Sequence, residues 1–109
     1  MLFFLWNDQL EEHAERHGVM RADAELVVRN ARDPYPEPIG DDKYRVWGRT
    51  RAGQFVQVIF VWKELDAIEW RQFTLPMLAA VWDDDAIFVV VIHAMPMTAE
   101  MKRRYRGQA

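Results

Sequence analysis

The chain has no cysteine. That excludes a disulfide framework, a thiolate metal site and a cysteine nucleophile, and it fits a reducing compartment. Long apolar runs are missing too. None reaches the roughly 18 residues that a membrane span requires, so a cytoplasmic protein with no membrane partner is expected. The opening Met1-Leu2-Phe3-Phe4-Leu5-Trp6 has neither a basic lead nor a small-residue cleavage site. It reads as a first strand rather than a leader. Positive charge is in deficit: 14 Lys and Arg stand against 17 Asp and Glu, a net of −3. That is the wrong average sign for a nucleic-acid binder, so any such role depends on the local field.

What is present suits one domain. The chain has 109 residues, half of them apolar and 13% aromatic, enough to bury a core. The acidity is concentrated. Residues 63–86 hold two basic and six acidic side chains, a net of −4, which leaves +1 for the rest of the chain. Near the C-terminus Lys102, Arg103, Arg104 and Arg106 form a basic patch.

Residues 2–6 predict a short strand. Asn7 is a good N-cap for a helix over 8–17, with Asp8, Glu11 and Glu12 near its positive end. Arg16 and His17 lie near the negative end, and Gly18 is a left-handed stop. A second helix is expected over about 21–31, with Met20, Ala24, Val27, Val28 and Ala31 on one stripe. Three prolines between Asp33 and Asp42 predict a loop there. Lys43–Thr50 and Phe55–Trp62 read as strands joined by a turn at Gly53. Ile87–His93 is a continuous apolar run, as expected of a central strand covered on both faces. Pro96 ends it, and Thr98 can cap a last helix over 99–106. Within the segment 63–86, Pro76 could open a short helix, and residues 65–75 fit helix or strand equally. The order β-α-α-β-β-(insert)-β-α predicts an α+β fold. An antiparallel sheet is expected, with helices mainly on one face.

Period two places Arg45, Trp47, Arg49 and Arg51 on one strand face and Tyr44 and Val46 on the other. If helices cover Tyr44 and Val46, the arginine face is open and Trp47 is a platform for stacking a base. The plain alternative is a solvated strand face with one exposed aromatic. The basic helix offers phosphate contacts from Lys102, Arg103 and Arg104, with Tyr105 as a stacking or proton-transfer group. It equally fits a solubilising helix end. His13 and His17 have metal-ligand spacing, but no third ligand is evident, and no metal or cofactor is expected. His17 reads as a helix cap or a site base, and His93 as a satisfied strand histidine or a base. Asp83-Asp84-Asp85 suits a solvated turn. Trp70, Phe73, Leu75 and Trp82 either pack onto the body or mark an interface.

Three blocks resemble a known family. Trp6 leads to His13-Ala14-Glu15-Arg16-His17-Gly18-Val19. Tyr44-Arg45-Val46-Trp47-Gly48-Arg49-Thr50 follows on the second strand. Ala94-Met95-Pro96-Met97-Thr98 and Lys102-Arg103-Arg104-Tyr105 close the chain. Taken in order, they resemble BrnT-like toxins of the RelE-type superfamily. The sequence departs from that pattern at Met95, where the family usually has arginine, and at Met101, where it has glutamate. The segment 63–86 replaces a short hairpin. The resemblance implies a RelE-like fold and metal-independent RNA cleavage by attack of a ribose 2′-hydroxyl on the adjacent phosphate. It also implies a cognate antitoxin as partner. Arg45, Arg49 and Tyr105 would then be catalytic. Trp47, Arg51, Lys102, Arg103 and Arg104 would bind RNA, and His17 or His93 would serve as base. The competing expectation is a non-catalytic interaction module on the same scaffold, with a possible homodimer through the segment 63–86.

Overall fold

A computed structural model describes residues 2–63 and 87–107. The chain order is β1 (Leu2–Leu5), α1 (Asp8–Arg16), α2 (Arg21–Arg29), β2 (Glu37–Gly40), β3 (Lys43–Arg49), β4 (Phe55–Lys63), β5 (Ile87–Pro96) and α3 (Ala99–Gly107). The fold is α+β, with three helices and one five-stranded mixed sheet in the order β1-β5-β4-β3-β2 among the described residues. The expectations for Pro76, Asp83-Asp84-Asp85, Trp70, Phe73, Leu75 and Trp82 lie outside the described residues. Among the described residues no helix is long and apolar enough to cross a membrane.

Local chemistry explains the helix ends. Asn7 Oδ1 accepts from Leu10 N–H at 2.7 Å, which satisfies a donor of the first turn. Gly18 takes φ +82°, the left-handed conformation that stops α1. Thr98 Oγ1 accepts from Met101 N–H at 3.2 Å and opens α3. The second helix is shorter than its apolar stripe suggested. It ends at Arg29, and Met20 is the residue before its first turn, 52% exposed rather than part of the buried stripe.

Two sheet features differ from the expected antiparallel meander. β1 pairs with β5 in parallel, Phe4 opposite Val89, while the other pairings are antiparallel. The chain leaves β1 through α1 and α2, which lets β1 run alongside a strand far along the sequence. Part of the expected proline loop is an edge strand: Glu37 and Pro38 pair with Arg45 and Tyr44. An edge position tolerates Pro38, because only one side of the strand must supply donors.

Alternation along β3 and β4 splits the sheet into two faces. Val46, Val56, Val58 and Phe60 are all fully buried on the face covered by α1 and α2. Gly48 lies on this face under Val27: an added Cβ would sit 2.9 Å from Val27 Cγ1, so α2 packs where only glycine fits. Trp6, 2% exposed, joins this core and donates its indole N–H to Glu25 Oε1 at 3.3 Å. Trp47, Phe55 and Gln57 point the other way, and α3 lies against them through Arg104 and Tyr105. Two helices therefore cover one face and the third crosses the other.

β5 is an interior strand between β1 and β4, with Phe88, Val89, Val91 and Ala94 buried, but it is not covered on both faces throughout, since Ile87 and Ile92 are exposed. Its pairing with β4 slips between Ile59 and Phe60, which face His93 and Val91 in turn. Ile92 is the extra residue of this bulge and is exposed.

Candidate functional site

The candidate site is built on the face that α3 crosses. Phe55 opens β4 directly opposite Arg49, the last residue of β3. Three cations converge on its ring. Arg49 Cζ lies 4.9 Å from the centroid, Arg106 Cζ 5.0 Å and Lys102 Nζ 5.9 Å. The spacing 102, 106 puts Lys102 and Arg106 one turn apart on α3. The Tyr105 ring meets the Phe55 ring edge-on at 6.0 Å. Among the described residues none of these three cations forms an ion pair. Like charges this close repel one another, and the ring quadrupole offsets only part of that, about 0.5–1 kcal/mol per exposed contact.

Beside this cluster is a cleft of about 740 Å³ at the edge of β3, where β2 no longer covers it. Arg32, Arg49 and Arg106 line it with Tyr35, Trp47, Phe55 and Tyr105. Asp33 is the one carboxylate among the described lining residues. Tyr35 reaches it from the loop between α2 and β2, with ring centroids 6.1 Å from Trp47 and 6.4 Å from Tyr105. The arrangement offers guanidinium forks for an anion and aromatic surfaces for a planar group.

The expected residues fare unequally. Trp47 is not an open platform: it is 3% exposed. Its ring carries Arg45 Cζ at 4.6 Å and Arg104 Cζ at 5.5 Å, and its indole N–H donates to Gln57 Oε1 at 2.8 Å. The face was expected to be open, but α3 and Tyr35 close over it. Arg45 is engaged. Its Nη2 donates to Glu37 Oε2 at 3.0 Å, and its buried Nε has no partner among the described residues. An anion binding at Arg45 must therefore compete with Glu37. Arg51 is in the turn after β3, so the alternation of the strand stops short of it. Arg103 is exposed on α3 and takes no part in the ring contacts given for Lys102, Arg104 and Arg106.

Of the histidines, His17 caps α1 on the surface, its ring 4.8 Å from that of His13. Among the described residues no group of three metal-ligating side chains gathers there or elsewhere. His93 is half-buried, and its Nε2 lies 3.1 Å from Gln57 Nε2. Burial, and then the nearby His13, hold its pKa below the ordinary 6.5. The unfolded chain therefore takes up this proton first as the pH falls. The stability that His93 contributes is fully present above pH 6.5 and is lost as the pH drops through its folded value. Urea melts from about pH 7.5 down to about pH 5 should show the loss, and His93→Gln should flatten that part of the curve. An equal slope in parent and variant would remove His93 from the account.

Sequence reasoning missed Arg32, Tyr35, Phe55 and Gln57 as parts of one site. Phe55 and Gln57 had a signal, since they share a strand face with the arginines' partners. Tyr35 had none, because a proline-rich loop does not announce where it lands. No protein-family model matches the chain, and no curated protein matches it.

Proposed function

We propose that the chain is an RNA-cleaving toxin of the BrnT-like kind, with a RelE-like arrangement of its sheet and a cognate antitoxin that covers the basic face. The observation that carries this reading is the convergence of Arg49, Lys102 and Arg106 on Phe55, none of them in an ion pair among the described residues. A cluster of cations without ion pairs among the described residues, beside the half-buried rings of Phe55 and Tyr105, matches the alternating phosphates and bases of a single strand. Two of the three sequence blocks that resemble the family contribute to this place: the second supplies Arg49, and the last supplies Lys102 and Tyr105.

In the proposed reaction the ribose 2′-oxygen bonds to the adjacent phosphorus and gives up its proton while the phosphorus–O5′ bond breaks and the departing 5′-oxygen takes up a proton, which leaves a 2′,3′-cyclic phosphate and a 5′-hydroxyl. Arg49 and Arg106 stabilise the charge on the phosphoryl oxygens, because a guanidinium matches them bidentately and stays protonated. Tyr105, at the cleft beside Arg106, is placed to exchange a proton with the entering or leaving oxygen. Arg45 has the lesser part, held as it is by Glu37 and Trp47.

The test is cleavage of a defined RNA by the purified protein, by Arg49→Ala and by Arg45→Ala. Loss of a charge-stabilising group costs about 100-fold or more in rate, so Arg49→Ala should fall by that factor with its circular dichroism unchanged. Arg45→Ala should fall less. A parent protein that leaves RNA intact, or an Arg49→Ala variant as active as the parent, would refute the assignment.

One observation favours a second reading, a non-catalytic interaction module. Met95, where the resembling family has arginine, sits half-buried opposite Gln57 and adds no charge to this face. In that case the same protein forms a tight complex with a protein partner and turns over no RNA.

A further inference from the structure

We propose that His93, Gln57 and Trp47 form a proton-sensitive clamp: neutral His93 lets Gln57 hold the Trp47 indole under Arg45 and Arg104, and protonation of His93 releases it.

An indole N–H can only donate, so the atom of Gln57 that lies 2.8 Å from Trp47 Nε1 is its carbonyl oxygen. The amide nitrogen of Gln57 is then the end that lies 3.1 Å from His93 Nε2. An amide NH₂ only donates, so His93 Nε2 must accept. Neutral His93 therefore carries its proton on Nδ1, and three side chains from three strands are joined in one direction.

A second proton on His93 breaks this order. Nε2 becomes a donor facing another donor. Turning the Gln57 amide over repairs the contact with His93 but sets its NH₂ against the indole N–H. No orientation of Gln57 serves both neighbours once His93 is charged. Gln57 is 6% exposed and Trp47 3%, so water does not readily make up the loss.

The surroundings point the same way. From α1, His13 acts on His93 and disfavours a proton there. From β3, Arg45 occupies the same cross-strand row, beyond Ile59. On β4 the facing side chains, Gln57 and Ile59, are neutral. Among the described residues no carboxylate pairs with His93.

Trp47 also lines the cleft, so freeing it alters the floor of the candidate site and the seat of two arginines. Any effect on RNA rests on the function proposed above; the clamp itself does not.

The experiment is nuclear magnetic resonance on the ¹⁵N-labelled protein, titrated from about pH 8 to about pH 5. Trp47→Phe assigns the indole N–H signal. At the alkaline end the ring nitrogens of His93 should report a proton on Nδ1 and none on Nε2. The Trp47 indole signal should then move with the His93 titration, at a midpoint below 6.5. In Gln57→Glu a carboxylate accepts from both neighbours, so the His93 midpoint should rise above 6.5. A neutral His93 protonated on Nε2 overturns the proposal. So does an indole signal that stays still while His93 titrates. If Gln57→Glu does not fold, these two readouts on the parent decide. None of them involves RNA, so the clamp and the proposed function fail separately.

Discussion

Replacing Arg49, Lys102 and Arg106 together by alanine is expected to weaken the binding of a single-stranded RNA about 100-fold at 0.1 M salt. The size follows from counterion release. Each phosphate neutralised on a single strand contributes about 0.7 to the slope of log K against log salt, so three cations contribute about 2. Between 1 M and 0.1 M salt that slope amounts to about two decades of affinity. The slope itself should fall by about 2 in the variant, which fluorescence anisotropy at several salt concentrations measures directly. Arg49 reaches the Phe55 ring from the end of β3, and Lys102 and Arg106 reach it from α3; none of the three belongs to the buried core. The fold should survive the change. If the variant binds with the parent's affinity and salt slope, this cluster is not where RNA binds. The same result would leave the protein-interaction reading standing.

Phe60→Ala is expected to cost about 3–5 kcal/mol, the range for removing a large buried aromatic. Phe60 is fully buried on β4. Its ring stacks on Tyr44 at 5.8 Å and meets Trp62 edge-on at 5.1 Å. It also sits beside the bulge, where the pairing shifts to Val91. Three neighbours built around one ring cannot all close the space it leaves. A domain of this size has about 5–15 kcal/mol in total, so the loss is a large share of its stability. A urea titration should show a much lower midpoint with a similar slope. A loss under about 1 kcal/mol would mean that the strands repack, and that the aromatic cluster is not what fixes β3 against β4.

Local structure was largely legible in the sequence. Asn7, Gly18, Gly53 and Thr98 each stand where a cap or a turn needs them, and each acts within four residues of itself. The alternation of Val56, Val58 and Phe60 told which residues of β4 share a buried face, because side chains along a strand must alternate. The apolar run of β5 marked it as an interior strand.

What could not be read was which surfaces meet. Period two places Trp47 with Arg45 and Arg49, but it does not say that α3 and Tyr35 close over that face. The parallel pairing of β1 with β5 joins residues more than eighty positions apart, and no local pattern encodes it. Period two extends the arginine row to Arg51, but the turn after β3 takes that residue off the strand. Gln57 is a polar residue within an apolar strand, and nothing along the chain marks it further. Only the fold sets it between an indole and an imidazole. The sequence by itself determined most of the elements, the caps of α1 and α3 and the alternating faces of β3 and β4, because those follow from neighbours along the chain; it did not show β2 or the end of α2. Tertiary structure decided what covers each face and which charges come together, because those depend on contacts between distant segments.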